Sequence, residues 1–139
     1  MITPDATPII DTAWKLVARA DSLRPKSADA RIGHVLVGGV IGKVARGSGL
    51  RATGPLADSA RRVLDRAVQV DRKDDPKQEL MGYEAIMLTQ MGDLDEAMVR
   101  LKRYVALNPD HSFQVEGQVH WWWRDLRNRQ DFQSLLVRR

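Results

Sequence analysis

Apolar side chains recur at positions i, i+4 and i+7 in five separate segments of this 139-residue chain. The five sets are Ala13/Val17/Ala20, Ala60/Leu64/Ala67, Met81/Ala85/Leu88, Ala97/Leu101/Tyr104 and Val115/Val119/Trp122. This spacing places three side chains on one stripe of an α-helix, whereas a half-buried strand needs an alternating pattern. No alternating run closed by a tight Asn-Gly or Asp-Gly turn is present. The sequence therefore predicts an all-α fold.

Proline and glycine separate the apolar stripes. Pro25, Pro76 and Pro109 follow predicted helix ends, where the absent N–H and the proline ring prevent the helix from continuing. Residues 47–56 contain three glycines and one proline, and together with residues 71–77 they indicate loops. Neither loop is long enough to divide the chain. We therefore expect one helical domain over residues 9–139, with a sixth, short helix at 132–137.

Composition and charge exclude several classes of protein. The chain has no cysteine, which rules out disulfides, thiolate metal sites and cysteine nucleophiles. Its longest apolar run, residues 32–41, is too short to cross a bilayer, and no signal peptide opens the chain. We expect no membrane span and favour a cytoplasmic location. The net charge is +4, but the basic excess is split between the two ends, which argues against a nucleic-acid partner.

Residues 78–111 carry a more specific pattern of small and large apolar residues. With Gln78 as position 1, small residues stand at position 8 (Ala85) and position 20 (Ala97), and a turn glycine stands at position 15 (Gly92). Leu88, Leu101, Leu107 and Pro109 complete the pattern. The segment resembles a tetratricopeptide (TPR) repeat, with Met81 and Tyr104 as its two departures. In such a repeat, the small residues let two antiparallel helices approach closely where they cross.

The TPR resemblance implies further helix pairs, because one pair cannot bury its own apolar faces. It divides the chain into a half repeat (9–25), a degenerate repeat (26–76) with a long first helix at about 28–46, the clear repeat (78–111) and capping helices (112–138). The close of the chain resembles a tail that follows the last TPR in bacterial signalling proteins. In the half repeat, Ala13, Val17, Ala20 and Leu23 take second-helix positions. That helix lacks its first-helix partner, so another chain or an upstream segment is expected to cover its exposed face.

No pattern of residues points to catalysis, a metal or a cofactor. Gly38 and Gly42 are four residues apart on a predicted helix, which favours close packing of a neighbouring helix. They do not form a phosphate loop, because Val37 stands where the first glycine belongs and Val44 replaces the Ser or Thr. The three histidines lack metal-ligand spacing, and the carboxylates are scattered. We therefore expect no catalytic residues, no metal site and no cofactor.

Three consecutive tryptophans at positions 121, 122 and 123 are the most unusual local feature. Successive residues of an α-helix point about 100° apart, so the three cannot share one face. Trp122 is expected on the inward stripe with Val119 and Leu126. Its two neighbours then flank that stripe, where they either cover the helix at 132–137 or face a concave groove.

The TPR resemblance assigns a partner-binding groove to particular positions of the first helices. In this chain the groove residues would be Ile86, Thr89, Gln90, Glu116, His120, Trp123 and Arg124. A mixed groove with one aromatic anchor suits an extended peptide or a partner helix. The resemblance thus implies a non-catalytic protein–protein interaction or scaffold module. The alternative is a self-assembling structural subunit, a homo-oligomer that uses its unpaired terminal helices.

Overall fold

A computed structural model describes residues 7–24, 27–47, 49–67, 73, 75–109 and 121–136. Within these ranges the chain forms six α-helices and one 3₁₀ helix, with no strand. They are α1 (Thr7–Leu23), α2 (Ala28–Arg46), α3 (Pro55–Ala67), α4 (Glu79–Met91), α5 (Leu94–Leu107), the 3₁₀ helix (Trp121–Leu126) and α6 (Gln130–Leu136). The all-α prediction is therefore confirmed for this part of the chain. Val115 and Val119, which belong to the first of the predicted capping helices, lie outside the described residues.

Local chemistry accounts for the ends of the central helices. The Ser27 hydroxyl accepts a hydrogen bond from the Ala30 amide at 3.2 Å, which caps the start of α2. Gly92 ends α4 with φ +82°, a left-handed conformation that glycine adopts without strain. The next amide, that of Asp93, bonds back to the Leu88 carbonyl at 2.9 Å. This turn lets α5 fold back directly onto α4, as the glycine at this position predicts.

Helices α2 and α4 form the centre of the structure. α2 packs against α1, α3 and α4, while α4 packs against α2, α5 and the 3₁₀ helix. α6 packs on α5. The fold is thus two helix pairs, α2/α3 and α4/α5, joined through the contact between their first helices.

Glycines on α2 permit the close contact with α4. A Cβ atom built on Gly39 would lie 3.3 Å from Met87 Cα, and one built on Gly42 would overlap Met91 Cγ. Gly38 faces the end of the Met87 side chain in the same way. Because both methionines are almost fully buried, they have little room to move. The predicted close packing at Gly38 and Gly42 is confirmed.

Two hydrophobic clusters share α4. The first joins α1, α2, α3 and α4, with Val35, Ile41, Ala60, Met87 and Met91 among its buried members. The second joins α4, α5, the 3₁₀ helix and α6. Ala85 and Ala97 are both fully buried in the second cluster. Their burial is what the small-residue positions predict for the α4–α5 crossing.

The face that α1 turns inward differs from the one predicted. Ile10 is buried, Trp14 and Val17 are half-buried, and Val17 packs on Gly33 of α2. Ala20 and Leu23, expected to face inward, are exposed. The physical reason is size: this rotation brings Ile10 and the Trp14 ring onto α2, which buries more apolar surface than Ala20 and Leu23 would.

Candidate interaction surface

The structure places three of the predicted groove residues in its interior. Thr89 is fully buried, and its hydroxyl donates to the Ala85 carbonyl at 2.7 Å. Gln90 is buried, and its amide donates to the Trp122 carbonyl at 3.0 Å. Both side chains are therefore occupied by contacts within the chain. The expectation that they face an open groove is corrected.

Trp123 is also a core residue and not a groove anchor. It is 4% exposed, and its ring centroid lies 6.2 Å from that of Phe132 on α6. The reason is the helix type. In a 3₁₀ helix, residues i and i+3 eclipse one another, so Trp123 shares a face with the fully buried Leu126. The α-helical spacing used for the prediction had paired Leu126 with Trp122, which is only half-buried.

The other four predicted groove residues do not share one environment. Ile86 is half-buried against the second cluster, and Arg124 is exposed on the 3₁₀ helix. Glu116 and His120 lie outside the described residues. Of the five predicted groove residues that the structure describes, only these two keep part of their surface free.

Helix α1 carries an exposed apolar seam. Ile9, Leu16 and Leu23 are 75%, 64% and 74% exposed. Ala13 and Ala20 lie between them, so the five residues follow a 4-3-4-3 spacing. This is the spacing of a helix seam that packs against another helix. A second seam on α1, with Ile10, Trp14 and Val17, already packs against α2.

Helix α2 presents its own exposed apolar stripe. Leu36, Val40 and Val44 follow one another at four-residue steps and are 41%, 58% and 49% exposed. They lie on the side of α2 away from Gly38, Gly39 and Gly42, which face α4. The exposed residues of α1 and α2 are the largest grouping of exposed apolar side chains on neighbouring helices in the described part of the chain.

Contacts between α1 and α2 fix their relative direction. The rings of Trp14 and His34 lie 5.9 Å apart, Val17 packs on Gly33, and Asp21 Oδ1 lies 3.5 Å from Arg31 Nη2. Residue numbers rise along α1 as they fall along α2, so the two helices are antiparallel.

The exposed stripes of α1 and α2 lie on the same side of the α1/α2 pair. Trp14 and His34 line a cleft shared with Ser59 of α3, so that side of the pair faces α3. At about 100° per residue, Leu16 on α1 and Val40 on α2 lie on the other side. The α1–α2 face, as we name it, comprises Ile9, Leu16 and Leu23 of α1 and Leu36, Val40 and Val44 of α2.

An ion cluster fastens the segment after α2 to the α4–α5 turn. The Asp93 carboxylate accepts hydrogen bonds from Arg51 Nε at 2.5 Å and from Arg61 Nε at 2.9 Å. Arg61 also donates to the Ala52 carbonyl at 2.7 Å, and the Ala52 amide donates to the Met91 carbonyl at 2.7 Å. Burial alone would raise the pKa of Asp93, but the two guanidinium groups outweigh it and lower that pKa. Asp93 directly precedes α5, but its carboxylate caps no backbone amide.

A second ion cluster, formed by Glu84, Glu96 and Arg100, links α4 to α5. Arg100 Nε donates to Glu84 at 2.6 Å, and Arg100 Nη1 donates to Glu96 at 3.1 Å. Burial raises the pKa of Glu84, and the hydrogen bond from Arg100 opposes that rise only in part. Both ion clusters are satisfied within the chain. The Asp93 cluster connects the two helix pairs, whereas the Arg100 cluster connects the two helices of one pair.

The cleft between α1, α2 and α3 has a volume of about 360 Å³ and contains few groups capable of chemistry. His34 lies within hydrogen-bonding distance of the Ala30 carbonyl, 2.9 Å from Nδ1. Ser59 and Arg62 are its other polar residues. Across the described ranges, no three His, Cys, Asp or Glu side chains group in a way that could hold a metal ion. Nor is any described helix both long and apolar enough to span a membrane.

Comparison with known proteins gives no relative. No family model matches the chain, and no curated protein or solved structure does so either. The α1–α2 face therefore has to be interpreted from its own geometry.

Proposed function

We propose that this chain is a non-catalytic protein–protein interaction module with a TPR-like solenoid architecture. Its contact surface is the α1–α2 face. The single observation that carries the proposal is the exposure of six large apolar side chains, between 41% and 75% each, on one side of two packed helices. Exposed apolar patches of this kind mark interaction sites on soluble proteins.

The arrangement of the helices supports the solenoid part of the proposal. Two helix pairs, α2/α3 and α4/α5, pack through their first helices, α2 and α4. Small residues line both kinds of contact, with Ala85 and Ala97 inside one pair and Gly39 and Gly42 between pairs. Each pair buries an apolar side of its neighbour, which is the principle of a repeat protein.

The proposed contact surface consists of different residues from those of the groove that the sequence predicts. Thr89, Gln90 and Trp123 are buried, and the first two are hydrogen-bonded within the chain. The α1–α2 face instead offers side chains with no such internal role. A partner that covers them removes apolar surface from water without breaking an existing contact.

A photo-crosslinking comparison tests this function. Benzoylphenylalanine replaces Leu36 on the α1–α2 face in one variant and Val99 in a control. Val99 is a 61% exposed apolar residue on α5. After irradiation in extract from the source cells, we expect discrete protein adducts at position 36 and none above background at position 99. Equal adduct patterns at positions 36 and 99 would contradict the proposed function.

A self-assembling structural subunit is the second candidate, and the seam on α1 favours it. Leu16 and Ala20 belong to a 4-3-4-3 pattern that a second identical helix can match. The adducts distinguish the two candidates. Their mass shows whether position 36 reaches a different protein or another copy of this chain.

A further inference from the structure

We propose that the occupant of the α1–α2 face is a second copy of this chain, placed antiparallel so that α1 packs on α1 and α2 on α2. The inference rests on the proposed function and specifies its partner. The result would be a four-helix layer with two-fold symmetry, in which the same face is used by both copies. Three features of the face support it: side-chain size, charge and area.

Side-chain size on α1 favours an antiparallel copy. In an antiparallel seam, Ala13 packs against the partner's Leu16, and Ala20 packs against the partner's Ile9. Both of these layers combine one small and one large residue, so the space between the helices is filled evenly there. A parallel pair would instead set Ala20 against the partner's Ala20 and leave a gap. Alternation of alanine with Ile or Leu thus selects the antiparallel orientation.

Charges on α2 are arranged with the same symmetry. Asp29 and Lys43 are both exposed, and each lies seven residues from Leu36, one before it and one after it. Neither side chain forms an ion pair within the described ranges. If two copies of α2 cross antiparallel at Leu36, Asp29 lies opposite the partner's Lys43, and the symmetry repeats the pair. Opposite charges then meet on both sides of Leu36.

The two helices require the same symmetry axis. The pairing of Ala13 with the partner's Leu16 sets the axis on α1 between these two residues, and the pairing of Asp29 with the partner's Lys43 sets it on α2 at Leu36. Because Trp14 lies beside His34 and Val17 lies on Gly33, the axis position on α1 is level with about residue 34 of α2. That level is about two residues, or about 3 Å along the helix, from Leu36, so one two-fold axis accounts for the size pattern of α1 and the charge pattern of α2 after a small shift.

The area of the face suits a reversible dimer. The six exposed fractions are equivalent to about three and a half fully exposed side chains, or roughly 350 Å² of apolar surface per copy at roughly 100 Å² each. Apolar atoms supply somewhat over half of a typical interface, so the total buried by both copies is about 1,200 Å². That value lies at the lower end of the range for stable complexes. We expect dimerisation to depend on concentration.

Sedimentation velocity across a wide concentration range tests the inference. The chain should shift from a 15.7 kDa monomer to a dimer of twice that mass. Leu16→Asp should abolish the dimer, with at least a hundredfold weaker association, because it places a charge in the centre of the seam. Val99→Asp, a matched change on α5, should leave association unchanged. Circular dichroism and thermal unfolding verify that each variant is folded.

Charge reversal at Lys43 and Asp29 tests the antiparallel register more specifically. Lys43→Asp should weaken the dimer by about tenfold, because each copy then sets a carboxylate at position 43 near the partner's Asp29. The double variant Asp29→Lys/Lys43→Asp restores opposite charges and should recover most of the lost association. A merely structural role of Lys43 would not give that rescue.

Several outcomes would overturn the inference. A chain that stays monomeric at all concentrations refutes it, as does a dimer that survives Leu16→Asp. Failure of the double charge reversal to restore association refutes the antiparallel register. A monomer that nevertheless crosslinks to a different protein at position 36 leaves the proposed function intact and removes only the second copy as its partner.

Discussion

Gly42→Ala tests the contact between the two helix pairs, because it adds a single methyl group where α2 meets α4. An alanine Cβ at this position would overlap Met91 Cγ, and Met91 is fully buried. The overlapping atom is near the backbone of Met91, so rotation about the outer bonds of that side chain does not relieve it. Overpacking of this kind costs about 1–3 kcal/mol.

The helix itself gains from the same substitution. Alanine stabilises a helix interior by about 1 kcal/mol relative to glycine. The net effect of Gly42→Ala is therefore a loss of about 1 kcal/mol in the free energy of unfolding. Gly82→Ala on α4 is the matched control. Its added Cβ would lie 3.5 Å from the Tyr104 ring, an ordinary contact, so the helix gain of about 1 kcal/mol should remain.

Urea denaturation measures both effects, and the two variants should differ by about 2 kcal/mol in the free energy of unfolding. A double-mutant cycle with Met91→Ala isolates the contact, because truncating the methionine should make Gly42→Ala stabilising. If Gly42→Ala and Gly82→Ala stabilised the protein equally, α2 would not approach α4 as closely as described, and the packing of the two helix pairs would have to be revised.

The buried residues give three further predictions. Trp123→Ala should lower the free energy of unfolding by about 3–5 kcal/mol in urea titrations, whereas a groove residue would change it little. The pKa of Asp93 is lowered in the fold, so its stabilising contribution is complete above the ordinary value of 3.8 and is lost as pH falls through the folded value. Asp93→Asn should therefore flatten the Tm profile as pH falls below 3.8, and profiles parallel to that of the unmodified chain would contradict this. Burial raises the pKa of Glu84, so the pH dependence of its contribution to stability has the opposite sign. The stabilising contribution of Glu84 is present below its ordinary pKa of 4.5 and is lost as pH rises through the folded value. Glu84→Gln should therefore gain Tm relative to the unmodified chain as pH rises above 4.5, and a constant difference between the two would count against it.

Residues with strong local signals were predictable from the sequence. The bounds of α2 follow from the Ser27 cap and the glycine after Arg46, and Gly92 marks the α4–α5 turn. Ala85 and Ala97 identify the crossing within that pair, and the α2 glycines identify the contact between pairs. In each case the local backbone or a steric requirement admits few other residues.

The sequence did not predict which of two overlapping apolar faces is buried. α1 carries apolar residues on both of two adjacent seams, and only its neighbour α2 decides which one is buried. The tryptophans raise a similar problem, because a 3₁₀ helix changes which residues share a face. The ion cluster at Asp93 was missed since Arg51 and Arg61 lie 42 and 32 residues away, and no local pattern joins them.

The absence of cysteine makes a direct test of the α1–α2 face possible. Two single-cysteine proteins, Ala13→Cys and Leu16→Cys, are mixed at high concentration and oxidised mildly. The antiparallel seam brings these two positions together, so the mixed disulfide dimer should dominate over either homodimer. Val99→Cys mixed with Leu107→Cys, both exposed on α5, should give only the yield of random collisions. Equal yields from the two mixtures would contradict the claim that the α1–α2 face is where this protein meets its partner.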